Sequence, residues 1–152
     1  MSVDFYVAVP AANWPTAAAV QQCMTDHDYP VQIKRFPGLD SAGVVRDGVL
    51  AAIDGTDAYL EGELAPALVM PAEVKNVNDR LMSISASEKI GGKDAVLSIR
   101  VRTPNEMRAS SYVISALIVC FDGFGFEPQG NTYGRADFAH TLIRGADAIK
   151  GL

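Results

Sequence analysis

The chain holds two cysteines, two histidines and one tryptophan in 152 residues, and each scarcity removes a class of chemistry. Cys23 and Cys120 belong to no CxxC or CxxH cluster, so neither a zinc ribbon nor a thioredoxin-like redox pair is predicted. Both lie in apolar, helix-patterned segments, which predicts buried thiols in a reducing compartment, with a disulfide between them as the alternative. His27 stands between Asp26 and Asp28 at a helix end, where neighbouring side chains point apart and cannot close a coordination shell. His140 has Asp137 as its one acid within a helical turn, which reads as a surface pair. No metal site is predicted from either histidine.

Long hydrophobic runs are missing as well. The longest, Val113 to Phe121, is about half a bilayer span, and Met1-Ser2-Val3-Asp4 carries no cationic leader. These features predict a protein of the cytoplasm, neither exported nor embedded in a membrane. HExxH, GxSxG, Walker and CxxC patterns are all lacking, and Gly123-x-Gly125 opens no helix within a dinucleotide glycine pattern. No enzyme template and no cofactor are therefore predicted. Asp54-Gly55-Thr56-Asp57 looks like a fragment of a calcium loop, but it lacks the later glutamate and the flanking helices. A hairpin turn explains it.

Basic charge is scarce in the first half. Residues 1–73 hold ten acids against Lys34, Arg35 and Arg46, a net −7, whereas the remainder is +2 and the whole chain −5. Phosphate binding needs clustered Lys and Arg, so nucleic acid is disfavoured and a basic partner favoured.

What the chain does have is regular patterning. Apolar residues make up 49% and charged residues 20%, ordinary for one folded domain spanning 1–152. Phe5, Val7 and Val9 alternate as a strand ended by Pro10. Asn13-Trp14-Pro15 reads as the cap of a helix carrying Ala17, Val20, Met24 and His27, and a short strand follows over Val31 to Phe36. Turns at Asp47-Gly48 and Asp54-Gly55-Thr56 separate Gly43 to Arg46, Val49 to Ile53 and Asp57 to Leu64, which fit two or three antiparallel strands. Val74, Val77, Leu81 and Ile84 mark a second helix, and Ala95, Leu97, Ile99 and Val101 a strong strand. Thr103-Pro104-Asn105-Glu106 is a capping box opening an apolar third helix, with Gly123 at the left-handed C-cap. A short strand over Phe124 to Glu127 and a last helix through Phe138, Leu142, Ala146 and Ile149 complete the order β-α-β-β-β-α-β-α-β-α. Such an order predicts an α+β two-layer sandwich, a mainly antiparallel sheet with helices packed on one face and the other face partly open.

Alternation along the Asp57–Leu64 strand puts Tyr59, Glu61 and Glu63 on one face, with Tyr6, Arg100 and Arg102 on neighbouring strands. Three roles follow for this polar group. Glu61 and Glu63 can pair with Arg100 and Arg102 as a solvated sheet face. They can join Asp54, Asp57 and Tyr59 in an acidic hairpin that meets a basic partner, while Trp14, in the strand-helix loop, is either a staple of the first helix or an exposed anchor for that partner. They can also act as acid and base with Tyr59, since carboxylates two apart on one strand face lie roughly 7 Å apart at Cα.

The stretch FDGFGFEPQG, followed by the helix RADFAHTLIRGADAI, resembles small bacterial α/β proteins of the toxin-immunity type over about a third of the chain. That resemblance implies a stoichiometric inhibitor that binds a toxin in the producing cell, and it transfers no residue role. The expected function is thus a non-enzymatic protein-binding module, in its most concrete form an immunity protein with an acidic surface. The alternatives are the small acid-base enzyme just described and a structural or scaffold subunit. Monomer and homodimer are both compatible.

Overall fold

Two long alternating segments fix the centre of the sheet: β1 (Val3–Pro10) runs antiparallel to β5 (Asp94–Val101), from Val3 opposite Val101 to Pro10 opposite Asp94. The computed structural model describes residues 2–150. Around this pair lie β2 (Val31–Arg35), β3 (Val49–Ile53), β4 (Thr56–Pro66), β6 (Phe124–Glu127) and β7 (Thr132–Gly134). All pairings are antiparallel, in the order β2-β3-β4-β5-β1-β6-β7. The helices are α1 (Ala17–Asp26), α2 (Pro71–Ser83), α3 (Pro104–Phe121) and α4 (Ala136–Ala148). The result is the expected α+β sandwich, with β7 added to the predicted order. At three residues, β7 is too short for alternation to reveal.

The period-two pattern sorts residues between faces as the sequence predicts. Phe5, Val7, Val9, Leu60, Leu64, Leu97 and Ile99 point to one side and are buried against α1, α3 and α4. Helix α3 is the spine of that layer, buried from Arg108 to Ile118. One helix, α2, departs from the predicted single helical layer. Val77 and Leu81 of α2 pack on the opposite face, against Ala8, Val96, Phe124 and Phe126. Those four alternate positions are small or apolar rather than polar, so the β1-β6 end of the second face also needs a cover. Beyond it, the second face carries polar residues on β2, β4 and β5, with Leu50 and Ala52 of β3 among them.

Three local details refine the predicted punctuation. Thr16, not Asn13, caps α1, its Oγ1 accepting from the Ala19 N–H at 3.1 Å. Ala11–Asn13 instead forms a single 3₁₀ turn. The α3 capping box forms, with Thr103 Oγ1 accepting from the Glu106 N–H at 3.1 Å, but the Glu106 carboxylate reaches back to the N–H of Arg102 at 3.0 Å. At the other end Asp122 takes the left-handed conformation (φ 63°). Gly123 is needed for space, since a Cβ there would meet Leu117 O and Val9 Cγ2 at 3.0 Å. The Asp54-Gly55 hairpin is as predicted, with positive φ at both residues and Ile53 opposite Thr56.

The cysteines also depart from expectation. Cys23 on α1 and Cys120 in the last turn of α3 form a disulfide, with Cα atoms 6.4 Å apart. The two helices pack side by side over the sheet, bringing residues 97 apart in sequence together. A bonded pair suits an oxidising compartment, so the thiols give no support to a reducing one. Among the described residues no helix is long and apolar enough to cross a membrane.

Candidate functional site

Asp57, Tyr59, Glu61 and Glu63 project from β4 onto the open face, opposite the core-facing Ala58, Leu60 and Leu64. Each acid there meets a base. Lys34 Nζ lies 2.6 Å from Asp57, Arg102 Nη1 2.5 Å from Glu61 and Arg46 Nε 3.3 Å from Glu63. Arg100 stands opposite Glu61 in the register but pairs with Asp4 on β1 at 2.9 Å. The Tyr59 ring lies beneath the Arg35 guanidinium, 5.8 Å from its centroid. Exposed pairs of this kind contribute only a few tenths of a kcal/mol each, so they tie the face together loosely. The row of acids is therefore largely neutralised.

The other two predicted partner-binding residues lie elsewhere. Asp54, at the β3–β4 turn, bends toward the helical layer and accepts from Arg108 Nη1 at 2.8 Å. That hydrogen bond from the nearly buried guanidinium holds the Asp54 carboxyl below the usual carboxylate range. Trp14 is half-buried, stacked on Phe36 at 5.5 Å, and its Nε1–H donates to Pro37 O at 3.0 Å. It fastens the loop after β2 to the start of α1, as a staple.

Where the open face meets the first turn of α2, a cleft of about 290 Å³ is lined by Asp4, Tyr6, Arg46, Glu61, Glu63, Glu73, Ser98 and Arg100. Four carboxylates share it. Asp4, Glu61 and Glu63 are paired with Arg100, Arg102 and Arg46, whereas Glu73, among the described residues, has no basic partner. Burial pushes the Glu73 carboxyl above its ordinary value, the charge of Glu63 adds to this, and the Tyr6 hydroxyl opposes it. Burial likewise raises the Tyr6 phenol, reinforced by the charges of Glu73 and Asp4. Gly62 lies in the cleft wall because β4 approaches β5 closely there, and a Cβ at that position would sit 1.8 Å from Ser98 O. The tyrosine of this cleft is Tyr6, and Tyr59 is not among its lining residues.

No pattern in the sequence marks Glu73, because it stands just ahead of the periodic part of α2 and gains its place in the cleft only from the side of the sheet on which α2 packs. Its one signal was Pro71, which starts the helix before the first apolar contact residue, Val74.

A second group has metal-ligand chemistry: among the described residues, the ligand atoms of Cys23, His27 and Cys120 lie within 4.8 Å of one another. Cys23 and His27 are four apart, on one face of α1 and its C-cap, and α3 supplies the third. The sequence shows the first spacing and hides the second contact. Compared with known proteins, the chain matches no family model, no curated protein and no solved structure.

Proposed function

We propose that the protein is a non-enzymatic binding module that receives a cationic side chain of a protein partner in the cleft between β4, β5, β1 and the first turn of α2. The observation that carries this reading is the unmatched carboxylate: three of the four acids are paired and the half-buried Glu73 faces Glu63 without a base. A guanidinium or ammonium entering there relieves the repulsion between the two glutamates and completes the pairing, while Tyr6 and Ser98 offer hydroxyls beside it. In its most concrete form the partner is a basic toxin neutralised by stoichiometric binding. The net −7 of the first 73 residues then steers encounter, and the cleft supplies the selective contact.

The test is a titration of ¹⁵N-labelled protein with a short arginine-containing peptide. Shift changes are expected at Gly62, Glu73, Ser98 and Arg100, and Glu73→Lys should abolish them. Shifts that are absent, or that persist in the variant, remove this cleft from the proposal.

The enzyme reading draws on the same pair. A carboxyl raised by burial beside a tyrosine in a concave site is suited to general acid catalysis. It requires a turned-over substrate that binds to Glu73→Gln with retained affinity and lost rate, whereas a pure binding role predicts no turnover in either form.

A further inference from the structure

We propose that Cys23, His27 and Cys120 form a redox-gated Zn²⁺ site, closed when the two sulfurs are joined and opened when they are reduced. Three observations support it, and none depends on the cleft. The donor set is two sulfurs and one imidazole, the soft and borderline ligands that select zinc over magnesium or calcium. The donors already lie within 4.8 Å of one another, while neighbouring ligand atoms of a tetrahedral zinc stand about 3.5–3.8 Å apart. Reaching that spacing takes side-chain rotation at the exposed His27 and Cys120, which draws the imidazole in and moves the two sulfurs, bonded in the oxidised form, apart, with Cys23 fixed in the interface of α1 and α3. The third observation concerns the imidazole. His27 Nδ1 lies 3.0 Å from Cys23 O, and since a carbonyl can only accept, Nδ1–H is the donor there, which in the neutral imidazole leaves the Nε2 lone pair for a metal. A backbone carbonyl that holds the non-ligating ring nitrogen is the usual support of a zinc-bound histidine.

The gate is a balanced exchange. A dithiol reductant passes two electrons and two protons to the Cys23–Cys120 bond, leaving two thiols here and a disulfide on the reductant. Zn²⁺ then displaces both thiol protons as the thiolates coordinate it. Oxidation by transfer of the two electrons to an external disulfide restores the bond and expels the metal. Cys120 and His27 both reach solvent, so the fourth coordination position is open to water.

The experiment reduces the full chain with a dithiol, removes the reductant under anaerobic conditions, and adds Zn²⁺ against a chromophoric chelator and Co²⁺ as a spectroscopic probe. The reduced protein should take up one equivalent of Zn²⁺ and show thiolate-to-Co²⁺ charge-transfer absorption, and the disulfide form should show neither. His27→Ala, an exposed substitution, should keep the fold and weaken the metal by at least about tenfold. The proposal is overturned if the reduced wild type gives no charge-transfer band or if His27→Ala binds as tightly. It is equally overturned if reduction erases the near-ultraviolet circular dichroism, because the site exists only in the folded chain.

Discussion

Replacing Cys120 by serine opens the largest covalent loop in the molecule while changing little in the native state, because Cys120 is exposed and Cys23 keeps its buried position. The two half-cystines are 97 residues apart. In the chain-entropy treatment, a loop of that length removes about 16 cal/mol/K from the unfolded ensemble, or about 4.7 kcal/mol at 25 °C. For a chain of this length, unfolding entropy at the midpoint is about 0.3 kcal/mol/K, so the same loss lowers Tm by about 15 °C. Domains of this kind hold roughly 5–15 kcal/mol in total, and the variant should therefore remain folded at room temperature. Urea unfolding followed by Trp14 fluorescence and by far-ultraviolet circular dichroism measures the change directly. Wild type with reductant should unfold at the same midpoint as Cys120→Ser without it. A loss below about 1 kcal/mol, or no effect of reductant on wild type, would refute the reasoning that α1 and α3 are held by this crosslink.

Three further outcomes are expected. Glu73 has a folded pKa raised above its ordinary value, so the neutral carboxyl favours the folded state; that stability is present below the unfolded value of 4.5 and is lost as pH rises through the folded one. Glu73→Gln stays neutral throughout, and its urea midpoint should exceed wild type at pH 7 and converge with it at pH 4. Gly62→Ala places a methyl group 1.8 Å from Ser98 O and must push β4 from β5, costing about 1–3 kcal/mol and disturbing amide shifts on both strands. Tyr112 is buried and donates its hydroxyl to Asp147 at 2.6 Å; burial, then that bond, pushes it up to about 12. Tyr6 and Tyr29 are also raised, so spectrophotometric titration should show several late phenols, the last of which Tyr112→Phe removes, and the stability Tyr112 supplies, complete below pH 10, should disappear as pH climbs to about 12.

Much of the sandwich was legible because its signals are local. Alternation in β1, β4 and β5 sorts side chains between faces, the Asp54-Gly55 turn sets a two-residue hairpin, and Thr103 to Glu106 announces α3. What was hidden depends on contacts between distant segments. Nothing near Cys23 says that Cys120 lies beside it, and the partners of Asp54 and Glu63 come from α3 and from the loop before β3. The side taken by α2 was written faintly in Ala8, Val96, Phe124 and Phe126, whose apolar character marks a second buried face. The open-face row of Tyr59, Glu61 and Glu63 was foreseen, but Glu73 was not, since its place in the cleft follows from where α2 sits.

The most direct measurement of a cation-receiving cleft is the pKa of Glu73 itself, followed by ¹³C NMR of the side-chain carboxyl with and without the arginine-containing peptide. The free protein should show a value above the ordinary 4.5, and saturating peptide should bring it down as the guanidinium takes the position opposite Glu63. A Glu73 carboxyl that titrates at or below 4.5 in the free protein, or one that does not move when the peptide binds, would contradict it.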